Sequence, residues 1–353
     1  MGVLMPVVWS DRHRLHEPGG EIYVGVRTPG TELAERAERI LAALQAAGPP
    51  VVAATEHPDA DALALHSPAL IEYLRSAWEE WEASGLASDP GQDRVVPYLF
   101  PHPGLVGSLP VEPPADVAAR AGFFCFDTMT LIGPGTWNAT RAAVDVAITA
   151  ADAALDRDAA YALCRPPGHH VTRNAFGGSC YLNNSAAAAA RMRDALVAPV
   201  ALLDIDAHHG NGAQSIFWND GSVLTGSVHV DPGAGWFPHY VGFAGEAGDG
   251  EGAEANLNLP LAPGSGDHPW VAAIERLVSW ASEAGAKALI VALGVDAAGG
   301  DPEAPLAVTP GGFAAAGRML AELRVPTVFV QEGGYDLETI GPLVVETLSG
   351  FER

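Results

Sequence analysis

From residue 136 onward the chain alternates between two kinds of segment, and few folds tolerate that alternation. Runs with apolar residues at helical spacing, 136–154, 184–195, 269–284 and 310–323, are interleaved with short, continuously apolar or β-rich runs at 159–163, 199–205, 222–230, 287–293 and 326–331. Strands that apolar belong inside a sheet covered on both faces, and the helices between them supply the cover and the crossovers. The pattern predicts an α/β fold: a parallel sheet flanked by helices on both faces, with functional residues on loops at the C-terminal ends of the strands. Two more helical patterns, 32–47 and 68–84, come earlier. There is no internal repeat, low-complexity linker or break in composition, so residues 1–353 read as a single domain. Segments 9–31 and 88–114 are rich in Gly and Pro and long for a compact domain, which marks them as functional or interface loops.

One strand end concentrates the chemistry. The apolar run 199–203 leads directly into Asp204-Ile205-Asp206-Ala207-His208-His209-Gly210-Asn211-Gly212. Successive side chains of an extended segment point to opposite faces, so Asp206 and His208 project the same way and can grip one cation. Asp296, after a second buried-looking strand and the turn-forming Gly294, completes a set of two carboxylates and one imidazole. Such a set leaves a small divalent ion open positions for water and substrate, as catalytic zinc sites do. Alone, Asp-x-His is a weak signal, because acidic residues at strand ends serve many ligands.

Two other strand ends add to it. In Cys164-Arg165-Pro166-Pro167-Gly168-His169-His170 the paired prolines hold the backbone extended and set two imidazoles on a stiff loop. Tandem imidazoles there suit proton transfer, with Asp204 a candidate partner for one and Asn211 for the other. After the run 326–331, Gly333 and Gly334 let backbone approach a ligand and leave the Tyr335 phenol free to donate to a carbonyl oxygen gaining charge.

Composition narrows the ligand. A net charge of −24 repels phosphate backbones and concentrates cations, which argues against nucleic acid and for positively charged ligands. With 48% hydrophobic residues the chain can bury a large core, yet no apolar stretch reaches membrane-spanning length. The first residues carry neither a basic leader nor a small-residue cleavage site. The cysteines, Cys125, Cys164 and Cys180, are too few and too unevenly placed for a disulfide framework or a paired-cysteine zinc motif. A soluble cytoplasmic protein with no membrane partner is expected.

Together, RPPGHH, FGGSCYLNN, LDIDAHHGNG, SVHVDP, LGVDAAGGDPE and QEGGYDLE occur in an order and spacing that resemble the zinc-dependent histone deacetylase and acetylpolyamine amidohydrolase superfamily, over nearly the whole chain. The resemblance implies the arginase-deacetylase type of α/β fold, with Asp206, His208 and Asp296 as Zn2+ ligands. It implies His169 and His170 as the catalytic pair, Asp204 and Asn211 behind them, and Tyr335 polarising the carbonyl. The reaction implied is metal-assisted hydrolysis of an acetylated or otherwise acylated amine, with His170 as general base and then acid while His169 and Asp204 tune the electrostatics. Structural K+ is implied near the zinc through Asp204, Asp206, His208, Ser227 and Val228, and further away through Phe217, Asp220 and Val223.

Candidate substrates are acetylated polyamines, acetyl-lysine and acylated small-molecule amines. The N-terminal half is more similar to the bacterial acetylpolyamine enzymes, whose early loop, matched by residues 12–31, helps form a homodimer and narrows the entrance. Those enzymes place an amine-binding glutamate where this chain has Ala118, whereas Glu303 stands where a polyamine-specific relative has its gatekeeper. Asp127 and Thr128 resemble rim residues that hold the substrate amide. Beside Gly178, Ser179 replaces an aromatic residue that forms one wall of the tunnel; Phe237 keeps the opposite wall, so a wider channel is expected. The alternative, an arginase-like binuclear manganese ureohydrolase, needs carboxylates flanking the strand-end histidine, and His209-Gly210-Asn211 lacks them.

Overall fold

The computed structural model describes residues 3–89 and 92–353. Its strands are β1 (Val7–Trp9), β2 (Glu21–Tyr23), β3 (Val26–Thr28), β4 (Val51–Ala53), β5 (Ala159–Ala162), β6 (Val200–Asp204), β7 (Val223–Val230), β8 (Asn256–Leu261), β9 (Leu289–Leu293) and β10 (Thr327–Gln331). Eight of them form one sheet in the order β4-β1-β5-β10-β9-β6-β7-β8. Every pairing within it is parallel. β2 and β3 make a separate antiparallel hairpin.

The two-residue period of the central strands sorts their side chains into two layers. Leu203, Val291 and Phe329 face a layer that includes helices Ala34–Ala47, Asp267–Glu283, Pro310–Ala321 and Ile340–Phe351. Leu202, Ile290 and Val328 face the opposite way, onto helices Thr136–Arg157 and Asn184–Leu196. That second layer is built from Ala143, Ala147, Ala150, Ala186 and Ala189, whose small side chains bring helix backbones close to the sheet. Each Leu, Ile or Phe buried this way contributes about 1.5–3 kcal/mol. A third cluster under helix Pro68–Ala83 packs Tyr73, Phe124, Phe176 and Tyr181 beneath the loops of the site.

The six helical and five strand patterns read from the sequence all form, with ends displaced by up to three residues. One displacement has a physical cause: the helix expected from residue 32 begins at Ala34, because Glu32 is buried in an ion network with Arg36 and Arg165. Segment 9–31, expected to be irregular, contains a short 3-10 turn at Asp11–Leu15 and the β2–β3 hairpin. β1 and β4 are three residues each, too short to carry a period, and β8 is an edge strand whose burial alternates only over its first four residues, with Pro260 inside it. The helix Ile340–Phe351 begins Ile-Gly-Pro without a capping side chain, which hid it. No helix among the described residues is long and apolar enough to cross a membrane. All three cysteines are buried and free.

Candidate active site

The site lies where β6, β9 and β10 end, three neighbours at the centre of the sheet. β6 delivers Asp204, then Asp206 and His208 on the following loop; β9 delivers Asp296; β10 delivers Tyr335. Parallel strands in register raise all these side chains on one edge, and that is why residues some ninety apart in sequence meet.

Asp206, His208 and Asp296 each offer a ligand atom, all within 4.8 Å of one another, and all three are buried. His208 Nδ1 lies 2.9 Å from Asp296 Oδ2 and 3.5 Å from Asp206 Oδ1. The remaining oxygens are fixed by backbone donors: Gly333 N–H donates to Asp206 Oδ2 at 2.8 Å and Ala207 N–H to Asp296 Oδ1 at 3.0 Å. No Lys or Arg side chain pairs with either carboxylate among the described residues. Two buried carboxylates offset only by imidazoles are costly, and burial followed by the Asp206 charge pushes the Asp296 carboxyl up from its usual range. A divalent cation removes that cost, and an oxygen, oxygen, nitrogen donor set suits zinc, so the residues fit the group.

Behind the metal cluster stand the paired histidines. His169 Nδ1 lies 2.9 Å from Asp204 Oδ2, and His170 Nδ1 lies 2.7 Å from Asn211 Oδ1. Asn211 Nδ2 donates to the His170 carbonyl at 3.0 Å, so its Oδ1 faces the ring as an acceptor. His170 must then carry its proton on Nδ1, leaving the Nε2 lone pair free. Burial, and then the His169 charge, hold the His170 pKa well below its usual value. For His169 burial opposes protonation but is outweighed by Asp206 and Asp204, so its pKa is raised. Adjacent histidines with rings 3.9 Å apart are thus driven to opposite protonation preferences.

Several supports were invisible in the sequence. Glu332 is buried and accepts from Gly168 N–H, His169 N–H and Ser185 Oγ–H at 2.6, 3.1 and 2.6 Å, fastening the histidine loop to β10. Arg165 bonds Glu32 and the carbonyls of His13 and His16, while Arg36 donates to the carbonyls of Gly334 and Glu332 and stacks 4.5 Å from the Tyr335 ring centroid. Asp301 accepts from the Tyr335 backbone N–H at 2.7 Å. Burial raises the Tyr335 pKa, so its phenol keeps its proton and can donate. The only sequence signals for these were charged residues sitting beside motifs, which many surface residues share.

A small cavity of about 70 Å3 opens onto His170, His208 and Tyr335. Gly178, Ser179, Phe237, Met129, Glu303 and Glu21 complete it. Gly178 has φ +60°, and a Cβ there would lie 2.3 Å from the His170 ring, so only glycine fits. Glu21, from β2, was not anticipated. Its pKa is pushed up to about 7 by burial and then by Glu303, and Thr31 bonds both carboxylates. Asp127 and Thr128, expected to hold a substrate amide, line the larger cavity at the rim and also brace the rim's own backbone. Asp127 accepts from the N–H groups of Gly178, Met129 and Thr130, and Thr128 Oγ–H donates to the Ile22 carbonyl. Ala118 sits on helix Val117–Phe124 and does not line the cavity.

The expected potassium groups are placed as follows. Asp204 pairs with Ser227 across β6 and β7, Val228 follows on β7, and Asp206 and His208 are on the adjoining loop. Phe217, Asp220 and Val223 lie on two successive turns, with Asp220 N–H donating to the Phe217 carbonyl and Val223 N–H to that of Asp220.

A central parallel sheet whose strand ends carry a carboxylate–imidazole cluster able to hold a metal, beside a histidine pair and a phenol, has the arrangement of a metal-dependent hydrolase. Residues 31–351 match the histone deacetylase domain family model, and the chain belongs to that family of deacetylase hydrolases. It is 38% identical to the acetylpolyamine amidohydrolase of Mycoplana ramosa, over 98% of this chain and 99% of the relative. It is 37% identical to acetylpolyamine amidohydrolase 1 of Pseudomonas aeruginosa, with 98% of each chain covered. Its fold superposes on the crystal structure of acetylpolyamine aminohydrolase from Burkholderia pseudomallei with a TM-score of 0.90 at 36% identity, covering 99% of both chains. On the HDA15 HD domain the TM-score is 0.78 at 26% identity, covering 99% of this chain and 88% of the other.

Proposed function

We propose that this chain is a zinc-dependent amidohydrolase that removes acetyl groups from cationic amines of the polyamine type. The observation that carries the reading is the convergence of Asp206, His208 and Asp296 beside a His170 whose Nε2 is left as a base by Asn211. Bound by those three residues, zinc supplies Lewis acidity to the acyl carbonyl and the attacking water. His170 Nε2 accepts the proton of that water and returns it to the departing amine. His169, charged against Asp204, stabilises the negative charge that develops, and the Tyr335 hydroxyl donates to the carbonyl oxygen as it gains charge. Glu21 and Glu303, two carboxylates in one cavity, favour an ammonium on the amine side of the substrate. The names of the curated relatives and the charge of −24 support the same class.

Asp204, Asp206, His208, Ser227 and Val228 form the nearer K+ site in this reading, and Phe217, Asp220 and Val223 the farther. The protein acts as a homodimer through the β2–β3 hairpin, whose tip exposes Tyr23, Val24 and Val26.

Acetate release from N-acetyl-1,4-diaminobutane and from an acetyl-lysine peptide, before and after chelation and again with zinc restored, tests this. Expected is zinc-dependent release with the diamine preferred. Release that survives full removal of metal, or none from any acylated amine, overturns it.

A further inference from the structure

Ser179 should leave the channel with one aromatic wall, yet an aromatic ring stands opposite Phe237. Phe126 lies near-parallel to it, with ring centroids 6.4 Å apart and an interplanar angle of 26°. The Phe126 ring rests on Gly177: a Cβ at that position would fall 2.1 Å from its Cε2. Its backbone is pinned, since Phe126 N–H donates to the Phe176 carbonyl at 3.0 Å and Phe176 N–H to that of Phe124 at 2.8 Å. The other end of the slot is the reaction site itself, for the His170 ring meets Phe237 edge-on at 4.8 Å.

Phe126 and Phe237 both line an apolar cavity of about 480 Å3, which Tyr240 and Val241 help to enclose. Phe237 and Met129 also line the small reaction cavity, so the two spaces share walls. They differ in character: the reaction cavity carries Glu21 and Glu303, whereas the larger one is walled mainly by aromatic and aliphatic side chains.

We propose that Phe126, rather than residue 179, forms the second aromatic wall of the substrate channel, and that the slot between Phe126 and Phe237 holds the aliphatic chain joining the acylated nitrogen to the rest of the amine. This rests on the amidohydrolase reading above. A separation of 6.4 Å is at the long end of aromatic pairing, about 4.5–7 Å, so the two faces are not tightly packed. Phe126 is 37% exposed and can rock outward to admit a methylene chain, which then buries its surface against two ring faces. Shifting the wall from 179 to 126 turns the channel toward the apolar cavity, so a substituent bulkier than a bare ammonium finds room there.

Calorimetric titration of the zinc-loaded protein with two hydroxamates tests the assignment. Acetohydroxamate reaches only the metal end, and N-hydroxyoctanamide adds an alkyl chain that must pass the walls. Phe126→Ala is expected to weaken the octanoyl ligand about tenfold while leaving acetohydroxamate unchanged, and Phe126→Tyr, which keeps the ring, to restore it. Thermal unfolding of both variants checks that they remain folded. Equal binding of the octanoyl ligand by wild type and Phe126→Ala, or equal loss for both ligands, overturns the proposal. Failure of wild type to bind acetohydroxamate, with no acetate released from acylated amines, instead removes the amidohydrolase reading and this one with it.

Discussion

His170 Nδ1 lies 2.7 Å from Asn211 Oδ1, whereas one residue earlier His169 Nδ1 lies 2.9 Å from Asp204 Oδ2. An amide oxygen and a carboxylate behind otherwise identical rings make one histidine a base and the other a lasting positive charge. Asn211→Asp abolishes that difference. A carboxylate behind His170 favours the imidazolium, so the acidic limb of the kcat/KM profile should move to higher pH. Activity at neutral pH should fall by about 10- to 100-fold. Steady-state acetate release across pH measures both; an unmoved limb removes His170 from the role of base.

Glu21 makes recognition of a cationic amine pH-dependent. Its carboxyl, raised to about 7 by burial and Glu303, gains a proton below that pH and loses the charge that attracts an ammonium. For a cationic substrate kcat/KM should fall as pH drops through 7, chiefly through KM. Glu21→Gln should raise KM about tenfold at pH 8, as expected for losing one hydrogen bond to a charged group, and flatten that limb. A neutral acetylated amine serves as the control and should show neither effect.

Glu32 holds Arg36 and Arg165 together in the core, one supporting the Tyr335 turn and the other the histidine loop. Glu32→Gln leaves two buried guanidinium groups without their counter-charge. The cost should be about 3–5 kcal/mol, read as a lower urea midpoint at unchanged slope. A loss below 1 kcal/mol would mean that water reaches the network.

Two histidines outside the reaction should contribute to the acid sensitivity of the fold. His66 Nδ1–H donates to the Thr172 carbonyl at 3.0 Å while Nε2 accepts from Asn183 N–H at 3.1 Å. His229 Nε2–H donates to the Gly242 carbonyl and Nδ1 accepts from Ser227 Oγ–H, both at 2.8 Å. Each geometry demands a neutral ring, and burial lowers both pKa values to about 4. Because the unfolded rings protonate near 6.5, this stability is fully present above 6.5 and is lost as pH falls from there to about 4, by about 3 kcal/mol for each ring. Urea unfolding at pH 7.5 and 5.0 should show a smaller difference for His66→Gln than for wild type; equal differences would contradict it.

Much of the site was legible because it is local. Asp206 and His208 are two apart on one extended segment, and the prolines of Cys164–His170 fix a loop whatever surrounds it. Asp296 and Tyr335 could be added because central parallel strands must end on the same edge. What stayed hidden depends on partners distant in sequence. Glu332 is one more acidic residue until Gly168, His169 and Ser185 are brought to it, and Glu21 lies in an early segment that looks irregular until its hairpin folds over the cavity. The short edge strands left no period to read.

By itself the sequence determined which strands are buried on both faces and which side chains gather at their ends, while the order of its motifs carried the resemblance to the family. Those follow from spacing along the chain, since the repeat of a strand or helix is a property of neighbouring residues. The shape of the channel was decided only by the tertiary structure. Ser179 said that a wall was missing; it took the approach of the Phe126 ring to Gly177, 51 residues apart, to supply another, because close packing joins surfaces that no local repeat relates.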